Sequence, residues 1–415
     1  MTTVEQKTLT ETVVITSLGH AGDGIAEIAG GRVFVPFTLP GETEEIERDG
    51  DRARLLRVLD PSPDRVTPAC PHFGICGSCA LGHMAPAAYA AWKREQVTAA
   101  FAQRGIDTEV TPLVTIAAGS RRRAVFSVVR TPHGIVIGFH PRHSHEVAAT
   151  ADCVVIAPAI VAKLPVLREI AAAVVTSKRP ARMTVLAADN GFDIAIADAG
   201  AKPRALAVLG RFGADPSIAR LTVDGIEVFR NRLPELAAGS AALLPTPGGF
   251  VQAARAAEQA MADIVLAHVG NASPVADLFA GIGTFALRLA ARAQVTAVES
   301  DASLLVALDA AARRATGLKR ITTLRRDLFA NPLSQPELDR FAAVVFDPPA
   351  AGAKAQSEML AASKVAKVAA VSCNPATLAR DARILIDGGY RLTRVVPVDQ
   401  FLYSPEIEAV ALLER

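Results

Sequence analysis

Tryptophan occurs once in these 415 residues, tyrosine three times and cysteine five times, and aromatic residues make up only 5% of the chain. No uninterrupted apolar run reaches the roughly 18–20 residues that a membrane-spanning helix needs, so a span is not expected. The opening MTTVEQKTLT has no charged-then-apolar leader pattern, which points to a cytoplasmic chain whose thiols stay reduced. Five cysteines spread over this length do not make the disulfide framework of a short secreted domain; clustered thiols here read as metal ligands or as chemistry. The net charge is only +2, so nucleic-acid binding would have to come from local patches rather than a global field. Half of the residues are hydrophobic, enough for buried cores, and the length suggests about two to three domains.

Three regions follow from the patterning. Residues 1–60 alternate short β-branched runs with glycines (TVVITSL, GHAGDGIAEI, GRVFVPF, LPGE, ARLLRVL), which predicts a small β-barrel. This stretch holds six Lys/Arg against eleven Asp/Glu, an unusual balance for a barrel that grips nucleic acid. Residues 61–240 mix strand-like AVFSVVR and GIVIGF with helical VAKLPVLREIAAAVV, and include a helix over 87–104 ended by Gly105 that would pack on the C-terminal domain. The triplet Arg121, Arg122 and Arg123 reads equally as a solvated turn or as a basic patch. From about residue 241 to 415, helices and strands alternate, as in a doubly wound sheet of parallel strands. Ligands of such sheets bind beyond the carboxyl ends of the strands.

Several residues fall at those ends. VADLFAGIGTFALRLA sets Gly281 and Gly283 between strand and helix, where backbone N–H groups can approach a ligand. Glu299 ends the next strand, placed for hydrogen bonds to ribose hydroxyls, and Asp327 follows the one after, placed for an adenine amino group. This turn, shorter than a dinucleotide fingerprint, resembles that of S-adenosylmethionine-dependent methyltransferases. Asp347 opens the rigid DPPAAG loop, read either as a ligand carboxylate or as a turn. Cys373 in VSCNPATLARD ends a buried strand just before a helix; it is either a core thiol or a nucleophile that the helix N-terminus would favour as thiolate. Cys70, Cys76 and Cys79 in CPHFGICGSC, with Cys153 further on, suit either zinc or an iron–sulfur group.

Taken together, DLFAGIG, FDPP, SCNP and the terminal SPEIEAVALL resemble the RNA uracil-5-methyltransferase family. GDGIAEIAGGRVFVPFTLPGE resembles a TRAM domain, an OB-like barrel, and SPDRVTPACPHFGICGSCALGH with GFHPRHSHEV and Cys153 resembles the family's cluster-binding segments. The resemblance implies an α/β architecture: an N-terminal TRAM barrel, a mixed α+β centre carrying an iron–sulfur site, and a C-terminal Rossmann-like methyltransferase domain. It implies Cys373 as nucleophile and Glu408 as base. Gln252, Phe279, Thr284, Glu299, Asp327 and Asp347 would bind S-adenosylmethionine, with Gln252 and Asp347 also near the uracil. Cys70, Cys76, Cys79 and Cys153 would hold a 4Fe-4S cluster.

Ala254, Ala350 and Glu406 stand where the family commonly has asparagine, arginine and histidine. The implied substrate is RNA, 23S ribosomal RNA ahead of a transfer-RNA loop, with no membrane and no obligate protein partner. Backbone contacts could come from Arg121–Arg123, Arg130 and Arg142, and from the group Arg313, Arg314, Lys319, Arg320, Arg325 and Arg326, which reads equally as a solvated helix and loop face. A metal-cluster RNA-binding protein without catalysis is the reading from a different class.

Overall fold

A computed structural model describes residues 9–142, 144–176 and 179–415. The first eight residues of the expected barrel, and His143 within GFHPRHSHEV, lie outside this description.

Residues 9–60 form one six-stranded sheet whose first and third strands also approach each other, so that it curls around Val13, Ile15, Ala26, Val33, Val35 and Ile46. Alternation along Thr43–Asp49 explains the curl: Glu44 and Ile46 point inward while the residues between face outward. The motif LPGE, expected as a strand, is instead a turn, with Gly41 at φ +86° and the Glu42 side chain receiving the Leu39 backbone N–H. Four of the acidic residues are paired with arginines of the sheet or its flank, as Arg48–Glu11, Arg54–Glu47, Arg57–Glu45 and Arg65–Glu42.

The central region is a seven-stranded, mostly antiparallel sheet from Arg123–Thr131 to Ile226–Arg230, covered by the helix Pro158–Val174. The helix Pro86–Ala102, between the first three cysteines and this sheet, turns the other way. Its Val97 and Phe101 join the core beneath the C-terminal sheet, and it packs on the helix Pro375–Asp387.

The C-terminal sheet has seven strands: Val275–Leu278, Val295–Glu299, Ile321–Arg325, Ala343–Phe346, Lys367–Ser372, Arg391–Val398 and Glu408–Glu414. Taken in chain order, they lie third, second, first, fourth, fifth, seventh, sixth. The first five are parallel and the last runs antiparallel between its neighbours. The segments VADL and AVVF are buried throughout, as parallel strands covered on both faces must be. The order of winding reverses between Val275–Leu278 and Ala343–Phe346, which opens a crevice beyond their carboxyl ends.

No helix among the described residues is long and apolar enough to cross a membrane.

Candidate active site

At that crevice lies a cavity of about 430 Å³, and Gln252, Phe279, Thr284, Glu299, Asp327, Asp347, Cys373 and Glu408 all line it. The first strand delivers the glycine turn. Phe279 takes φ +59° there, a conformation that side chains beyond glycine seldom hold without a local reason, and its ring packs on Phe329 at 5.4 Å. Glu299 closes the turn from the neighbouring strand: Gly281 N–H donates to its Oε2 at 3.0 Å. Asp327 caps its own loop by accepting from Phe329 N–H at 2.9 Å.

Strand direction brings Cys373 and Glu408 together. Lys367–Ser372 is parallel and ends at the crevice, whereas Glu408–Glu414 is antiparallel and begins there, with Ser372 opposite Ala409. The residues one step beyond that pair are Cys373 and Glu408. Asn374 then starts the helix, its Oδ1 accepting from Ala376 N–H at 3.0 Å while its Nδ2 donates to Ala350 O at 3.1 Å. One side chain thus ties the thiol's turn to the DPP loop.

The expectation that the helix would favour a Cys373 thiolate is not met. Burial, with the carboxyl groups of Glu408 and Asp347 next in weight, pushes the thiol up to about 11. The capping side chain of Asn374 has already taken the nearest helix donors. Burial likewise pushes Asp347 up to about 7, and burial together with Asp347 pushes Glu408 up to about 8. Glu408 is buried and its Oε2 has no partner among the described residues.

A residue that sequence reading missed links these groups. Gln400, buried, donates from Nε2 to Gln252 Oε1 at 2.6 Å and to Glu408 Oε1 at 3.1 Å, and Gln252 Nε2 donates to Asp347 Oδ2 at 3.1 Å. The only signal was an Asp-Gln pair at the end of an apolar strand. Asp277 is a second omission: it is fully buried beneath the turn, without a side-chain partner, and burial raises its carboxyl well above the usual range.

Cys70, Cys76, Cys79 and Cys153 line a different cavity, also about 430 Å³, together with Arg121, Arg142 and the segment Phe401–Glu406. Burial first, and then the neighbouring Cys153, Cys76 and Cys70, push the Cys79 thiol up to about 12. The four cysteines line one cavity, and no group of three or more His, Cys, Asp or Glu side chains among the described residues is placed to hold a single metal ion.

The arginine triplet is neither a solvated turn nor an open basic patch. Arg122 is buried against Glu258 at 2.6 Å and donates to Gln252 O at 3.2 Å, while Arg123 donates to Gly249 O at 3.0 Å. Arg121 stands over the Phe401 ring at 5.9 Å. Two of these cations therefore fix the segment that carries Gln252. Arg130 is spent on Val175 O and Arg142 on Asp23, each at a distance of 2.6–2.7 Å. In the second basic group, Arg314 pairs with Glu235 and Arg326 with Glu337.

A parallel sheet with one antiparallel strand inserted near its end, and a glycine turn facing a thiol and a buried carboxyl, define a Rossmann-like methyltransferase. Residues 246–415 match the family model described as tRNA (uracil-5-)-methyltransferase. An uncharacterized RNA methyltransferase of Mesorhizobium japonicum is 48% identical, covering 97% of each chain. The 23S rRNA (uracil(1939)-C(5))-methyltransferase RlmD of Halomonas elongata is 34% identical over 97% of this chain and 89% of its own. The crystal structure of Pyrococcus abyssi tRNA (uracil-54, C5)-methyltransferase with S-adenosyl-L-homocysteine superposes with a TM-score of 0.74 at 20% identity, covering 97% of this chain and 99% of that one. The chain belongs to the RNA uracil-5-methyltransferase family and is an RNA-modifying enzyme of that class.

Proposed function

We propose that this enzyme methylates carbon 5 of a specific uridine in 23S ribosomal RNA, with S-adenosylmethionine as donor, Cys373 as nucleophile and Glu408 as base. The observation that carries the reading is the meeting of Cys373, Glu408, Asp347 and Gln252 in one cavity with the glycine turn. The donor would lie along Phe279, Thr284, Glu299 and Asp327, and the uracil against Gln252 and Asp347.

Carbon 5 of uracil is a weak nucleophile. The Cys373 thiol gives up its proton to solvent, and addition of the resulting thiolate to carbon 6 moves the ring's π electrons onto carbon 5 and its neighbouring carbonyl as an enolate. The bound donor supplies an electrophilic sulfonium methyl group for carbon 5. Glu408 then removes the carbon 5 proton; the electrons of that C–H bond rebuild the ring double bond and the thiolate leaves. Glu408 must be deprotonated to take that proton, and a carboxyl raised to about 8 is then a stronger base than an ordinary glutamate. The target base must leave its stack to reach the cavity, which favours an unpaired loop uridine.

The choice of 23S RNA rests on the named activity of the Halomonas elongata relative. Three units share the work: a barrel at 1–60, a central RNA-contacting region at 61–240 and the methyltransferase domain at 241–415. Four thiols lining one cavity supply the all-sulfur donor set that a 4Fe-4S cluster or a zinc ion takes, and the family resemblance favours the cluster. The reaction needs no electron, so the cluster's part is structural or in RNA contact. RNA is the only partner required, in the cytoplasm.

Purified enzyme is incubated with S-adenosylmethionine and either 23S RNA or bulk transfer RNA, and methylated uridines are mapped. Methylation of one 23S uridine is expected; methylation of transfer RNA alone would overturn the target. Iron, sulfide and zinc analysis of the same preparation decides the cluster, and a colourless zinc protein would sink it.

A further inference from the structure

We propose that Gln400 fixes the orientation of the Gln252 amide, and that this orientation selects uracil over cytosine. The inference rests on the reading above, that Gln252 and Asp347 face the target base.

The run of hydrogen bonds begins at a backbone group. The N–H of Ala253 is buried and needs an acceptor, and Gln400 Oε1 is that acceptor at 2.9 Å. With its oxygen committed, Gln400 can present only its NH2 group to the other side, where it donates to Glu408 Oε1 at 3.1 Å and Gln252 Oε1 at 2.6 Å. Gln252 must therefore turn its oxygen toward Gln400. Its own NH2 is left pointing to Asp347 Oδ2, at 3.1 Å. Every amide orientation in this chain follows from donor and acceptor rules once the Ala253 N–H is placed.

The second hydrogen of the Gln252 NH2 has no acceptor among the described residues. Gln252 and Asp347 both line the cavity that holds Cys373, and Gln400 does not. The cavity therefore presents an N–H donor beside a carboxylate acceptor. Uracil offers the complement: a carbonyl beside the N3–H. Cytosine sets an amino group at position 4 and a bare N3, so donor would meet donor and acceptor would meet acceptor. Sites built around such pairs reject the mismatched base through unpaired buried groups. Gln400 touches no substrate and acts through Gln252; it is a positioning residue.

Covalent trapping on short RNAs carrying 5-fluorouridine or 5-fluorocytidine tests this, with S-adenosylmethionine present. Cys373 adds to carbon 6 and the methyl group goes to carbon 5. Fluorine replaces the proton there, so Glu408 has nothing to remove and the adduct persists. The wild-type enzyme should trap the uridine analogue and strongly discriminate against the cytidine one.

Gln400→Glu offers only acceptors, so the Gln252 amide should turn over; the uridine-to-cytidine trapping ratio should then fall about ten- to a hundredfold. Gln400→Met, which buries no charge, releases the tether and should lower the ratio less. It also stands in if the first variant does not fold. A loss of stability alone would slow both substrates alike and leave the ratio unchanged, and an unchanged ratio in a folded variant overturns the inference. Failure of the wild-type enzyme to trap the uridine analogue would instead strike at the function proposed above.

Discussion

The cavity around Cys373 and the cavity around Cys70, Cys76, Cys79 and Cys153 match in volume, at about 430 Å³, but differ in the charges that face their sulfurs. Arg121 and Arg142 stand among the four thiols, with Glu406 at the edge; Asp347 and Glu408 stand beside the single one. Arg121 works against the burial that raises Cys79, the direction a thiolate ligand would need, whereas the carboxyl groups facing Cys373 add to its burial. Carboxyl groups beside a buried thiol keep it protonated until substrate arrives, which suits a nucleophile that is needed once per turnover. On the function proposed above, the same residue type would serve two tasks.

Exchanging the targets of mutation separates the cavities most sharply. Cys373→Ala should lower turnover by at least about 10⁴-fold while leaving iron content and visible absorption unchanged. Cys79→Ala should do the reverse, losing iron and colour. If Cys373→Ala also lost the colour, the two cavities would not be independent.

Removing the base should cost less. Glu408→Gln should reduce turnover by about 10²- to 10⁴-fold, with a covalent enzyme–RNA adduct accumulating on denaturing gels. As the proposed base, Glu408 would work deprotonated, so the wild-type single-turnover rate should climb as pH rises through about 8, where Glu408 gives up its proton. That limb should vanish in Glu408→Gln; if it persists unchanged, another group sets it.

The smallest expected effect is on the segment between the cavities. Residues Phe401–Glu406 wall the four-cysteine cavity and lead directly to Glu408. They are held by Lys93, fully buried, whose Nζ donates to Asp399 Oδ1 at 2.7 Å and to Phe401 O at 3.1 Å, with Tyr89 OH on Asp399 Oδ2 at 2.7 Å. Lys93→Met leaves Asp399 buried without a counter-charge and should destabilise by about 3–5 kcal/mol in chemical denaturation; adding Asp399→Leu should restore much of it. Equal stability of Lys93→Met and wild type would mean the pair does not hold this wall.

What was legible in the sequence was local. DLFAGIG, DPP and SCNP each place a polar residue just past an apolar strand, and strand ends in a doubly wound sheet converge on one crevice. The four-cysteine spacing gave a donor set without its surroundings. Gln400 and Asp399 escaped notice because their partners are far along the chain: Lys93 and Asp399 are 306 positions apart and Gln400 and Gln252 are 148 apart. Lys93 did leave a trace, since it lies between Tyr89 and Val97 at four-residue intervals on the buried face of its helix. A lysine in an apolar stripe calls for an acid from elsewhere. The arginine triplet misled because charge alone does not say which way a strand faces.

The Lys93–Asp399 pair also bears on how such a chain can change over generations. Replacing either residue alone strands a charge in the core, so most single steps away from the pair are closed, while a simultaneous exchange of both is open. Among relatives, these two positions should therefore be inherited as one character, altered together or not at all, however freely the surface around them drifts.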